Sequence, residues 1–407
     1  MEGELCTMTL ILIYLLLVTF MLFDYLKYKK VLSPIFIFNF IWFFVLTLYQ
    51  LKLSYLQQNL SDRTLLVFLI SILVYNIFSL IFNLFKIKDK KDKTRTGSLK
   101  KRLNIAKCIV VVVFIIEIIY SGGFPLLWMF ISSSKNYFSY GISSLHGAFN
   151  GLVICLGAYS IYKKDIKNAL FYFIIGILIL SRQIIISMFI EGIVCMILDT
   201  SRNGLKKYLK YVKYIFLLLV VFTVLGNFRS GNDVMDNVFK PRPQYERLSS
   251  TTKWVYSYLT FSISNFNNLV SVTDGGMNHG VSMAKELLPT IILEKANISI
   301  NYSPYYLVSP NYTVSTYLPS PYLDFGLFGA ALFSIIMAFI GTYINKLLRH
   351  ENSIKNKLLY SVFIHNVLLL FFNNMFLYLP VVVQFIYIVV IFVDNEYEES
   401  ICDDSSL

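Results

Sequence analysis

IFLLLVVFTVLGNFRSGNDVMDNVFKPRPQYER (215–247) holds the change of character on which the fold turns. Up to Gly226 it is apolar on every side, with no amphipathic period, as a buried or lipid-facing helix is. From Asn227 it becomes polar and rich in Gly and Pro, and that character continues through TDGGMNHG (273–280) and NYSPYYLVSPNYTVSTYLPSP (301–321). Lipid cannot host irregular backbone, because unpaired N–H and C=O groups there have no water to bind. Residues 227–320 must therefore leave the membrane or line a cavity, and the function is expected there.

Outward from this stretch the chain is dominated by apolar runs. It has 407 residues, 56% of them hydrophobic and 16% aromatic. A span takes about 20 apolar residues. Eleven are expected, over 7–26, 31–51, 64–85, 104–120, 145–162, 168–182, 184–198, 212–227, 322–346, 358–373 and 376–393. The pairs 168–182/184–198 and 358–373/376–393 leave open one long helix or a re-entrant hairpin each. The fold class is an all-α polytopic membrane protein with one long extracytoplasmic loop. It divides into a bundle over 1–226, a loop with amphipathic helices over 248–272 and 281–295 within 227–320, and C-terminal helices with a tail over 321–407. The start, MEGELC, lacks a basic n-region and a small-residue cleavage site, so the first helix is expected to be retained.

The net charge of +12 lies mostly in short loops, at Lys27–Lys30, Lys86–Lys107, Lys163–Lys167, Arg202–Lys213 and Lys346–Lys357. All five fall on one side if the N-terminus is outside and the C-terminus cytosolic, as the positive-inside rule requires. The basicity is thus a topology signal, and nucleic acid is not an expected partner. Of the five cysteines none lies in 227–320 and no pair has CxxC spacing, so neither a disulfide there nor a zinc site is expected. The four histidines are scattered, and neither metal nor cofactor is indicated.

Arg182, in LILSRQIII (178–186), sits between apolar runs near the expected outer face. A charge at that depth needs a partner, water or a ligand, and a guanidinium forks well onto phosphate. An anchor, or a pair with Glu191 or Glu117, is the other reading. Arg229, in NFRSG, follows the eighth span and would complete a two-pronged clamp with Arg182. Arg242, Tyr245 and Arg247 alternate basic and aromatic groups, which suits sugar binding as well as a solvated turn. His279, Asp274 and Glu286 are candidate general bases, and His146 is a weaker one. Glu117 and Glu191, inside spans, are either functional or paired with an arginine. Asp324, in YLDFGLFG (322–329), is expected to cap or open the next helix.

An SRQ turn between two short spans, an Arg after the next span, GGFPLLWMF (122–130) and a closing NYTVSTYLPSPYLDFGLFGAALFS (311–334) together resemble the bacterial O-antigen and capsule repeat-unit polymerases, the Wzy type. The resemblance implies a GT-C-like, metal-independent membrane glycosyltransferase in the bacterial cytoplasmic membrane. It would move a glycan from undecaprenyl diphosphate onto a fresh lipid-linked repeat unit, beside a flippase and a chain-length regulator. By resemblance Arg182 and Arg229 match the family's outward-loop arginines, which engage the anionic lipid-linked substrates; from the residues themselves His279 is expected to join them in catalysis, and Arg242, Tyr245, Arg247, Asp274 and Asp324 to bind substrate. Some members carry Gly after Arg and ten residues. Here Gly192 follows Arg182 after nine, and Lys240 stands at that place after Arg229. An O-antigen ligase, or a flippase of the lipid-linked unit, is the alternative. Transporters tend to carry internal repeats, and none is found here.

Overall fold

The computed structural model describes residues 2–86, 98–131, 135, 139–199, 238–298 and 306–393. Among them the protein is helical, and one bridge, Ser54 to Pro241, is the only β pairing. Five helices are long and apolar enough to cross a membrane. They are α1 (Glu2–Tyr28, from Cys6), α3 (Asp62–Leu84), α4 (Leu99–Ser121, running on through the short α5, Pro125–Phe130), α6 (Leu145–Tyr162) and α12 (Pro319–His350). Shorter apolar helices fill the gaps: α2 (Pro34–Gln50), α7 (Ile166–Leu178) and α14 (Leu379–Ile391), beside α8 (Arg182–Leu198) and α13 (Ile354–Leu368). This is a polytopic helical membrane protein.

Both doubtful pairs resolve into two helices. Leu180, at φ +53, breaks the chain between α7 and α8, and Ser181 caps α8 by accepting from Ile184 N. α7 and α14 have 13 residues each, a rise of about 20 Å, short of the roughly 30 Å hydrocarbon core. The expected span 212–227 lies outside the described residues.

Helix directions alternate, so the connections gather at two ends. At one end Arg349 stands over Tyr28, Lys346 donates to the Phe85 carbonyl, Arg102 Nε donates to Ile391 O at 2.7 Å, and Lys357 pairs with Asp199. This basic end collects Lys27–Lys30, Lys163–Lys167 and Lys346–Lys357. The opposite end collects 51–61, 121–131, 139–145, 179–183, 238–298, 306–318 and 369–378. It is held by Tyr317 N donating to Leu370 O at 2.9 Å and Asn267 Nδ2 to Asn59 O at 3.1 Å.

Polar side chains act as interhelical glue where apolar contact alone gives little preference over lipid. Asn39 on α2 and Asn76 on α3, both fully buried, exchange hydrogen bonds of 2.7 and 3.0 Å. Phe38 stacks on Tyr75 beside them, centroids 3.7 Å apart. Trp128 turns inward beneath Lys135, and Phe130 takes the exposed position.

The expected amphipathic segment at 248–272 is one helix, α9 (Ser250–Val272). It roofs the polar end and is buried on most sides. Its Ser and Asn side chains pair the backbone of the irregular segments around it, as buried carbonyls and amides require. Asn265 donates to Tyr312 O and Val314 O, both at 2.7 Å, and accepts from Val308 N at 2.8 Å. Ser262 donates to Phe371 O. A second apolar cluster of Leu53, Phe239, Trp254, Tyr256, Phe261 and Tyr312 welds this roof to the α2–α3 connection. Residues 281–295 form two short helices, α10 (Val281–Leu287) and α11 (Thr290–Lys295), divided at Pro289.

α12 is kinked. Phe325 (φ −140, ψ 17) and Gly326 (φ +63, ψ −142) leave the helical region, and the TDGGMNHG loop docks in the gap. Gly276 N donates to Tyr322 O, Met277 N to Leu323 O and His279 N to Asp324 O. A Cβ on Gly329 would lie 2.0 Å from Pro321 O, which is backbone and cannot swing away. Gly329→Ala is therefore expected to cost about 1–3 kcal/mol or more, as overpacking does. Thermal melting in detergent checks this, and a wild-type midpoint would refute it.

Candidate functional site

Arg182 stands in the first turn of α8, held at the polar end by the 179–181 break. Its guanidinium carbon is 5.6 Å from the ring centre of Tyr258 on α9. Tyr258 stacks against Trp254 (5.5 Å) and Phe372 (5.6 Å), making an aromatic shelf. The neighbouring Gln183 Nε2 donates to Met375 Sδ at 3.6 Å. The helix N-terminus adds partial positive charge at this point. A guanidinium at the edge of stacked aromatic rings can hold a phosphate and face a sugar ring.

From the shelf the 369–378 connection leads to a second group. Asn374 Nδ2 donates to Tyr317 O at 3.1 Å, while its Oδ1 is buried without a hydrogen-bond partner among the described residues. Three residues on from Tyr317, Ser320 Oγ donates to Glu286 on α10. Glu286 is half-buried, and burial, reinforced by the Asp324 charge, pushes its carboxyl up to about 7 against the opposing Ser320 bond. That is a carboxylate poised for proton transfer at neutral pH.

The other candidates fall into different settings. Asp324 does not cap its own helix. It lies before the kink, fully buried, and its two oxygens accept from Ser282 N and Met283 N of α10, each at 2.8 Å. His279 is exposed at φ +48 on the docked loop. Asp274, also exposed, pairs with Arg63 at 2.6 Å. Arg242 is pinned to the α2–α3 connection, its Nη2 3.4 Å from Gln57 O and its guanidinium 5.7 Å from the Tyr55 ring. Tyr245 packs on the second apolar cluster, and Arg247 is exposed. Among the described residues, no hydrogen bond or ion pair joins Arg182 to His279, Arg242 or Arg247. Arg229 lies outside the described residues.

The two intramembrane carboxylates pair with histidines, not with the arginines considered from sequence. Glu117 Oε2 is 2.9 Å from His146 Nδ1, and Glu191 Oε1 is 3.1 Å from His365 Nδ1. His365 Nε2 is also 3.0 Å from Ser187 Oγ. A histidine and a carboxylate far apart in sequence give no local spacing, so neither pair was legible. Tyr258 and Trp254 were missed as well, because in sequence they read only as one apolar face of a roof helix. Among the described residues no three or more His, Cys, Asp or Glu side chains form a group able to hold a metal. No protein family, curated protein or solved structure matches the chain.

Proposed function

We propose that this protein polymerises undecaprenyl-diphosphate-linked oligosaccharide repeat units into O-antigen or capsular polysaccharide, on the outer face of a bacterial cytoplasmic membrane. The observation that carries the reading is the Arg182–Tyr258 shelf. It is an anion-binding group on stacked aromatics, at the end of the bundle opposite the lysine-rich connections. Under the positive-inside rule the basic end is cytosolic. The 227–320 segment and the shelf are then extracytoplasmic, where nucleotide sugars are out of reach and lipid-linked donors are not. Eleven spans, with 212–227 among them, complete this topology.

In the reaction the acceptor sugar hydroxyl attacks the anomeric carbon of the donor glycan. The new glycosidic C–O bond forms as the anomeric C–O bond to the lipid diphosphate breaks. Arg182 stabilises charge on the departing diphosphate, with Arg229 as its expected companion. Glu286 accepts the hydroxyl proton, a role better suited to its half-buried carboxylate than to exposed His279. Polymerisation is then expected to rise with pH through about 7, as Glu286 ionises. Stability has the opposite sign. The folded value lies above the unfolded one, so the stabilisation is full below about 4.5 and is lost as pH rises through about 7. Glu286→Gln should remove both dependences and slow polymerisation by about 10²–10⁴-fold. Retention of the wild-type pH–rate profile would refute the assignment.

Gene deletion followed by glycan ladder analysis tests the function. Single repeat units attached to lipid or surface are the expected result. No exported unit at all would mean a flippase, and free polymer that never reaches its anchor would mean a ligase.

A further inference from the structure

The basic end contains a cavity of about 440 Å³ between α4, α6 and α7, away from the shelf. Small-ligand sites occupy about 300–1,000 Å³. Lys100, Lys107 and Lys163 line it, with Asp165 the one acidic residue among its described lining. The Asp165 carboxylate is committed to the α7 N-terminus, accepting from Asn168 N at 3.1 Å and Asn168 Nδ2 at 2.6 Å. Lys107 Nζ donates to Asn168 Oδ1 at 2.6 Å and stands 5.3 Å from the Phe171 ring centre, which fixes its amine at the rim. Leu103 and Leu156 supply an apolar floor. From Asn104 at the mouth an exposed apolar stripe runs along α4: Cys108, Val111 and Ile115, at helical spacing on one face.

We infer that this cavity binds the phosphate headgroup of an anionic phospholipid, with an acyl chain laid along the α4 stripe. Basic pockets between helices at a membrane surface take such headgroups. A free phosphate would satisfy the lysines but would leave the stripe without a role, and this favours the lipid. The site stands whatever chemistry the opposite end performs.

Native mass spectrometry of the full-length protein, released from nanodiscs holding equal phosphatidylglycerol and phosphatidylcholine, tests it. Selective retention of phosphatidylglycerol is expected. Each neutralised lysine should weaken it about fivefold, taking about 1 kcal/mol per basic residue near the surface, so Lys100→Gln with Lys163→Gln should weaken it about 25-fold. Lys100→Arg with Lys163→Arg should retain it, which separates charge from folding. Equal retention of the two lipids, or a Gln pair that behaves as wild type, would overturn the proposal. Displacement of the lipid by inorganic phosphate at equal concentration would overturn it too, in favour of a free-anion site.

Discussion

Arg182→Ala is expected to collapse the long-chain glycan ladder to the single-repeat band, with polymerisation slowed about 10²–10³-fold, the effect of removing one preorganised charge-stabilising donor. The guanidinium is held in place by the α8 cap and the Tyr258 ring, so little of its binding energy goes into ordering it. Arg182→Lys should fall between the two. It keeps the charge but loses the planar fork that matches a diphosphate. Tyr258→Ala should also impair polymerisation, since the shelf would no longer fix the guanidinium. Quantitative ladder profiles from the three variants decide the matter. Normal chain length in Arg182→Ala would remove Arg182 from the reaction.

His365→Leu carries the largest expected stability effect. Glu191, Ser187, His365 and Gln384 form a fully buried network joining α8, α13 and α14. Gln384, with its amide oriented to donate, reaches both Glu191 oxygens at 3.1 and 2.8 Å. The His365 Nδ1–Glu191 Oε1 contact, at 3.1 Å, is off the line a hydrogen bond prefers. Deleting the histidine strands a carboxylate in the bundle, at a cost of about 3–5 kcal/mol. The double variant Glu191→Leu with His365→Leu should regain much of that, because both polar groups leave together. Thermal melting in detergent reads the difference. A single variant as stable as wild type, or a double variant no better than the single, would contradict the network's role.

The apolar runs were legible because a membrane helix writes its length and hydropathy directly into sequence. Span 145–162 coincides with α6, and α1 to α4 begin and end within a few residues of expectation, except that α1 and α4 each start five residues early. The basic connections were legible for the same reason, and contacts such as Lys357–Asp199 and Arg349–Tyr28 place them together. The interior of the polar end was not. α9 is rich in Ser, Asn and Tyr because it pairs loop carbonyls, and that composition reads as surface. The kink at Phe325–Gly326 turned Asp324 from a cap on its own helix into a cap on α10, a tertiary effect with no local signature. Glu286 stood out from His279 only once Ser320 and Asp324 were seen beside it.

Impermeant thiol labelling tests the central claim, that the shelf and the basic end face opposite sides of the membrane with the shelf outside. Met277→Cys and Lys30→Cys, both at exposed positions, serve as reporters in a background with the five native cysteines replaced. The account predicts that Met277→Cys is labelled in intact cells and Lys30→Cys only after permeabilisation. Labelling of Lys30→Cys from outside, with Met277→Cys protected, would contradict it.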